Sequence, residues 1–175
     1  MSHIRTVAGL LILPMAIFVI YYFYRGMEWQ LNMAFLEPER WMKSRFVSPE
    51  AVVETSTRIF YFAMWQVPLY CGLTAYAFAV LCLIRLARGY LFDHGIARCC
   101  MMIGAFTAAS SGSSLVAAAV SAMVLSWHNP EGPAPLRFWY SSTDFALVFY
   151  GFAFLMMGWV LQEAIRIDRE NREFV

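Results

Sequence analysis

The segment RLARGYLFDHGIARCC, residues 85–100, concentrates side chains that could do chemistry between two long apolar runs. It holds three arginines, Asp93, His94 and the adjacent Cys99 and Cys100. Imidazole and thiolate groups bind metals, and a carboxylate beside a histidine can take part in acid–base catalysis. The segment therefore suggests either an active or metal site, or a water-facing hinge that orients two membrane helices.

The rest of the sequence places this segment at a membrane. The 175 residues are 61% hydrophobic and 14% charged, whereas about a quarter of the residues of a soluble domain are charged. Four runs contain no Asp, Glu, Lys or Arg: 6–24, 59–84, 99–127 and 145–162. Each is close to or above the roughly 20 residues that a helix needs to cross a bilayer, and lipid offers no partner to an unpaired backbone amide. The sequence predicts an all-α, integral membrane four-helix bundle.

We expect a single membrane domain over residues 1–175. Its helices are predicted at about 6–24, 50–86, 97–127 and 143–168. Residues 25–49 mix aromatic residues with charges, which predicts an amphipathic first extracytoplasmic loop lying at the membrane interface. Ser48 as N-cap and Pro49 at the first helical position predict the start of the second helix. The first run ends in tyrosines and Arg25 rather than in small residues, so we expect an anchor and not a cleaved signal peptide.

Basic residues in the connections predict the orientation. The hinge and the C-terminal tail each carry three arginines: Arg85, Arg88, Arg98, Arg166, Arg169 and Arg172. The 128–144 connection carries only Arg137. The positive-inside rule therefore places the hinge, the tail and the N-terminus in the cytoplasm. The first connection is the counter-evidence, since residues 25–58 contain five basic residues interleaved with five glutamates.

The third run is built from small residues. Gly104, Ala108 and Gly112 recur at a spacing of four, which lets helix backbones approach closely in lipid. We expect this helix to form the packed centre of the bundle. Ser110, Ser111, Ser113 and Ser114 either bond to carbonyls of their own helix, which we favour, or line a polar cavity.

Nothing in the sequence indicates a catalytic, cofactor or metal site. No charged residue interrupts the four runs, and Gln66 is best interpreted as an interhelical hydrogen bond. His3 and His94 are predicted on the inner side and His128 on the outer side, so no pair can ligate a haem. The cysteines have no metal-binding spacing. We therefore favour the hinge, in which Arg85 and Arg88 end the second helix, Gly89 and Gly95 break it, and Asp93 caps the third.

Two segments resemble a known family. Gly89 after the basic end of a helix, followed by Phe92, Arg98 and Gly104, is similar to the central segment of the DUF2975 family. VLQEAIRIDRENREFV resembles its closing segment, with the Glu-Asn pair at Glu170-Asn171 and a terminal Phe174-Val175. The resemblance covers roughly residues 59–175. It implies a four-helix protein of the bacterial inner membrane, often encoded beside a small helix-turn-helix regulator.

Three functions remain open at this point. The first is a non-catalytic adaptor, regulator or scaffold whose hinge and tail bind a cytoplasmic protein partner through the six arginines named above, with no direct contact to nucleic acid. The second is an accessory subunit of a larger membrane complex, such as one that carries pigments or quinones. The third, which we rank lowest, is a small transporter or membrane enzyme. The small-residue face is also compatible with an oligomer.

Overall fold

Four long helices make up the fold in this computed structural model. It describes residues 2–37, 53–90, 93–129, 132–133, 135 and 142–173. The helices are α1 (Ser2–Leu31), α2 (Thr55–Ala87), α3 (His94–Leu125) and α4 (Ser142–Glu173). All four are long and apolar enough to cross a membrane, and the described residues contain no strand. The predicted all-α four-helix bundle is confirmed.

The first helix continues well past the predicted end at residue 24. Residues 25–31, which we had assigned to the interfacial loop, belong to α1, and Asn32–Leu36 add a π-helical turn. Arg25 pairs with Glu28 at 2.6 Å, three residues later, so these charges stabilise a helix rather than a loop. The rest of the predicted loop lies outside the described residues beyond Glu37.

The other helix boundaries differ by a few residues. The backbone of Glu54 is extended and α2 begins at Thr55, five residues after the predicted start, while the predicted cap at Ser48 and Pro49 lies outside the described residues. Helix α3 begins three residues earlier than predicted. Helix α4 continues five residues further, to Glu173, because ion pairs within the tail support the helix there.

The helices pack in chain order and leave one seam open. Helix α1 packs on α2, α2 on α3, and α3 on α4. Among the described residues no Cα of α1 lies within 8 Å of a Cα of α4. Helix α3 is the most enclosed of the four. In its apolar 18-residue stretch 28% of the residues are buried, whereas in the corresponding stretch of α1 only 6% are buried. The expectation that α3 forms the packed centre is confirmed.

Glycines hold α3 and α4 at backbone contact. A Cβ built on Gly104 would lie 2.5 Å from the carbonyl oxygen of Gly151 and 2.6 Å from the amide nitrogen of Leu155. A Cβ on Gly151 would lie 2.9 Å from the amide nitrogen of Ala108, and one on Gly158 would lie 2.8 Å from the carbonyl oxygen of Ala97. No side chain larger than hydrogen fits at these three glycines without moving a backbone.

Gly112 lies away from this contact, although it shares the spacing of Gly104 and Ala108. A Cβ on Gly112 would meet nothing within 4 Å. A step of four residues turns about 40° past one full helical turn, so residues at this spacing drift away from the contact face. Gly104 and Ala108 are therefore packed against α4, and Gly112 is not.

Aromatic rings fill the space between α1 and α2. Tyr76 makes edge contacts with Phe18 and Tyr22, at ring-centroid distances of 5.4 and 5.2 Å. Nearer the other end of α1, Trp29 packs on Trp65 at 5.8 Å. Edge-to-face rings of this kind contribute about 0.5–1.5 kcal/mol per pair. This interface is therefore wide and made of side chains, in contrast to the backbone contact of α3 with α4.

The two glycines of α3 provide a matched test of this packing. We expect Gly104→Ala to lower the free energy of unfolding in detergent by about 1–3 kcal/mol, because α4 must move away from the new methyl group. Gly112→Ala adds the same methyl group in open space, and we expect it to be neutral or to stabilise the helix by up to about 1 kcal/mol. Equal effects of the two substitutions would contradict the described contact.

Candidate functional site

The hinge between α2 and α3 is held by an ion pair. Arg85 Nη1 donates to Asp93 Oδ2 at 2.7 Å, with both side chains part-exposed. Gly89 has φ +89°, a conformation that ends α2 and that other residues rarely adopt. The guanidinium of Arg5 lies against Gly89, where a Cβ would overlap it. The start of α1 therefore rests on the hinge.

Two predicted roles in the hinge are wrong in detail. Asp93 is at the N-cap position of α3, but its side chain makes no capping hydrogen bond and instead accepts one from Arg85. Gly95 lies in the first turn of α3 and does not break α2. Its missing side chain makes room for the Arg85 guanidinium, which a Cβ at this position would overlap.

The C-terminal part of α4 is a charged helical extension, which we define as residues 163–173. Arg166 pairs with Glu163 at 2.5 Å and with Glu170 at 3.5 Å, and Arg172 pairs with Asp168 at 3.0 Å. These pairs have the spacings of three and four residues that bring side chains together on one face of a helix. Exposed pairs of this type contribute only about 0.3–0.5 kcal/mol each, so they maintain the helix without fixing its surroundings.

The hinge and the extension meet at one end of the bundle. His94, at the start of α3, lines a shallow cavity of about 320 Å³ together with Trp159, Gln162, Glu163 and Arg166 of α4. The structure therefore joins the first turn of α3 to the extension in one surface. We call the hinge residues 85–98 and the extension together the charged end.

The six predicted partner-binding arginines all lie at this end, because α2 ends, α3 begins and α4 ends there. Arg85 and Arg166 make the ion pairs described above, and Arg172 pairs within the extension. Arg88, Arg98 and Arg169 are exposed. The charged end thus presents guanidinium groups from three helices.

A polar network crosses the other half of the bundle. Gln66 Nε2 donates to Gln30 Oε1 at 2.5 Å, and Gln30 Nε2 donates to the carbonyl of Trp65 at 3.0 Å. Trp65 Nε1 in turn donates to Ser121 Oγ at 3.2 Å. These bonds join α1, α2 and α3. The interpretation of Gln66 as an interhelical hydrogen bond is confirmed.

The serine cluster of α3 faces a cleft, contrary to the interpretation that we favoured. Ser110, Ser111 and Ser114 line the space between α1 and α4, and only Ser113 of the four is absent from its lining. Ser113 donates to the carbonyl of Ser110 on its own helix at 3.0 Å, whereas Ser110 donates across to Pro68 of α2 at 2.8 Å. Hydroxyl groups that bond within a helix or to its neighbour can still present their lone pairs to a cavity.

The described residues bring together no group of three or more His, Cys, Asp and Glu that could hold a metal ion. Cys82 of α2 and Cys100 of α3 lie close enough to interact across the helix interface, and all four cysteines are free thiols. His128 lies near Glu54, at 3.8 Å, at the end of α3 opposite His94.

Several residues of the cleft were not predicted as functional. Phe18 and Tyr22 of α1, Tyr76 of α2, and Tyr150 of α4 line it. The four-residue spacing of Phe18 and Tyr22 is a signal that they share a face of α1. Tyr150 carries no such signal, because only the position of α4 relative to α1 makes it part of a wall.

Comparison of the chain with models of known protein families, with curated proteins and with solved structures finds no match. The resemblance to DUF2975 therefore stays a prediction.

A double-mutant cycle tests the coupling of Gln30 to Gln66. We expect Gln30→Leu and Gln66→Leu each to lower the free energy of unfolding. The sum of the two losses should exceed the loss in the double variant by about 0.6–1.7 kcal/mol, because both substitutions remove the same interhelical bond. The free energy of unfolding in detergent measures this difference. Gln162→Leu, combined with Gln66→Leu, is the control and should be additive. Additivity of the Gln30 and Gln66 substitutions would exclude the described bond.

Proposed function

We propose that this chain is a non-catalytic protein of the bacterial inner membrane that acts as an adaptor or scaffold, and that its charged end binds a cytoplasmic protein. The observation that carries the proposal is the cavity formed by His94 and the extension, which makes the hinge and the end of α4 one surface. A partner can contact two separate chain segments there at once.

The position of the extension supports this function. Its eleven residues would span about 16 Å as a helix, and they follow the last apolar run of α4. Its charges are paired mainly with one another, and these pairs support the continuation of α4 beyond the apolar run. Ile167 is 49% exposed among these charges and offers an apolar contact to a partner.

The charge distribution supports the cytoplasmic orientation of this end. Seven arginines lie on it, the six named above and Arg5 of α1. By the positive-inside rule a surface so rich in arginine stays in the cytoplasm. With four spans, both the N-terminus and the C-terminus are then cytoplasmic.

The adaptor function predicts that a specific partner depends on arginines of both segments. Substitution of four exposed arginines by alanine should abolish stoichiometric recovery of a cytoplasmic protein from native membranes in mild detergent: Arg85, Arg88, Arg166 and Arg169. We expect the variant still to insert, because the exposed Arg85–Asp93 pair contributes at most about 1 kcal/mol.

Two controls separate partner binding from orientation. Lysine at the same four positions keeps the positive charge and should keep the orientation, which a reporter fused after Val175 would check. Arg25→Ala removes an exposed arginine some 30 Å along α1 from Arg5 and should leave recovery unchanged. Recovery of the same protein with the alanine variant, or of a large membrane assembly in its place, would contradict the adaptor function.

A further inference from the structure

The open seam between α1 and α4 forms a cleft at membrane depth. It consists of two adjoining cavities of about 470 and 310 Å³. Both are lined by Tyr22, Ser110, Ser111 and Leu147, so they are two halves of one space. Each half is within the size range of a small-molecule site. Since no described Cα of α1 lies within 8 Å of one in α4, the cleft opens sideways toward the lipid.

The walls of the cleft are aromatic. Phe18 and Tyr22 form the α1 wall, and Tyr150 and Phe154 form the α4 wall. Tyr76 holds the two α1 rings from behind through edge contacts at 5.2 and 5.4 Å. Parallel or edge contacts with rings of this kind favour a flat, conjugated ligand.

The floor of the cleft carries hydroxyl groups. Gly72 of α2 leaves a gap there: a Cβ on it would lie 3.1 Å from Tyr22 Oη and 3.3 Å from Ser110 Oγ. Ser111, only 3% exposed, is beside them. In the described part of the chain, Tyr22 Oη has no protein hydrogen-bond partner. This hydroxyl can therefore donate to a ligand, and water is scarce at this depth.

Charge has little influence inside the cleft. The charged residue that lines it is Arg25, at the edge of the larger half, and its guanidinium is already paired with Glu28 at 2.6 Å. A neutral ligand thus fits better than an anionic one. A lipid acyl chain would fill the volume but would leave the Tyr22 hydroxyl without an acceptor, which costs free energy in an apolar environment.

We propose that this cleft binds a lipid-soluble quinone. The ring lies between the aromatic walls, the Tyr22 hydroxyl donates a hydrogen bond to a ring carbonyl oxygen, and Ser111 is the second polar contact. The apolar tail of the quinone leaves through the open seam into the bilayer. This binding site is independent of the charged end, so it stands whether or not the adaptor function holds.

Quenching of tryptophan fluorescence by a decyl-substituted benzoquinone tests the proposal on the full chain in lipid nanodiscs. Trp29 and Trp65 line the larger half of the cleft and report on its occupancy. We expect saturable quenching above the linear background caused by quinone dissolved in the lipid. Tyr22→Phe should weaken binding roughly 3- to 10-fold, because it removes one hydrogen bond and keeps the ring. Ser111→Leu, which fills the floor, should abolish it.

Two conservative variants serve as matched controls. Tyr24→Phe changes an exposed tyrosine on the same helix that does not line the cleft, and Ser113→Leu places the bulk of Ser111→Leu two residues away on α3. Both should bind like the wild type. Circular dichroism checks the fold of each variant, and if Ser111→Leu fails to fold, the comparison of Tyr22→Phe with Tyr24→Phe decides. The proposal would be overturned if quenching is linear in the wild type and all variants, or if it is saturable but unchanged by Tyr22→Phe. A tightly bound phospholipid that the quinone does not displace would also overturn it.

Discussion

Close backbone contact between α3 and α4 is the constraint on which the rest of the structure depends. Apolar side chains gain nothing by leaving lipid for a protein interior, so helices in a bilayer associate through packing and interhelical hydrogen bonds. Gly104 and Gly151 bring the two backbones to van der Waals contact, and Gly158 extends that contact toward the charged end. Because α4 is held against α3 in this way, it does not reach across to α1.

The two outer interfaces of the bundle differ in kind, and the cleft follows from the difference. Between α3 and α4 the contact is made by small residues, whereas between α1 and α2 it is made by the rings of Phe18, Tyr22 and Tyr76. The bulky interface sets α1 apart from the centre, and the polar bonds of Gln30 fix the far end of α1 to α2. The result is a four-helix bundle in which the seam between α1 and α4 is lined by aromatic rings and open to the bilayer.

Much of the fold could be predicted from the sequence, but much of the site could not. Charge-free runs reveal the helices because a bilayer forces any such run to satisfy its own backbone. The extent of α1 was missed, since Arg25 and Glu28 look like the start of a loop until they are seen as a pair on one helical face. Spacing alone predicts that Gly112 packs with Gly104 and Ala108, and the chemistry of serine alone predicts hydroxyl groups bonded to their own helix. Spacing defines a face of a helix, and only the crossing of two helices determines which part of that face is packed and which part lines a cavity.

The open seam between α1 and α4 distinguishes this bundle from a closed one. Disulfide cross-linking in native membranes can detect whether the two helices are separated. A disulfide requires Cα atoms within about 7 Å, and no Cα of α1 comes within 8 Å of α4. In a background without other cysteines, the pair made by Phe18→Cys and Leu147→Cys faces the larger half of the cleft from the two helices. We expect this pair to stay reduced under oxidation that links Cys82 and Cys100 in a second variant, which keeps only these two native cysteines and in which they face each other across α2 and α3. Cross-linking of both pairs at similar rates would mean that the bundle is closed and would contradict the account.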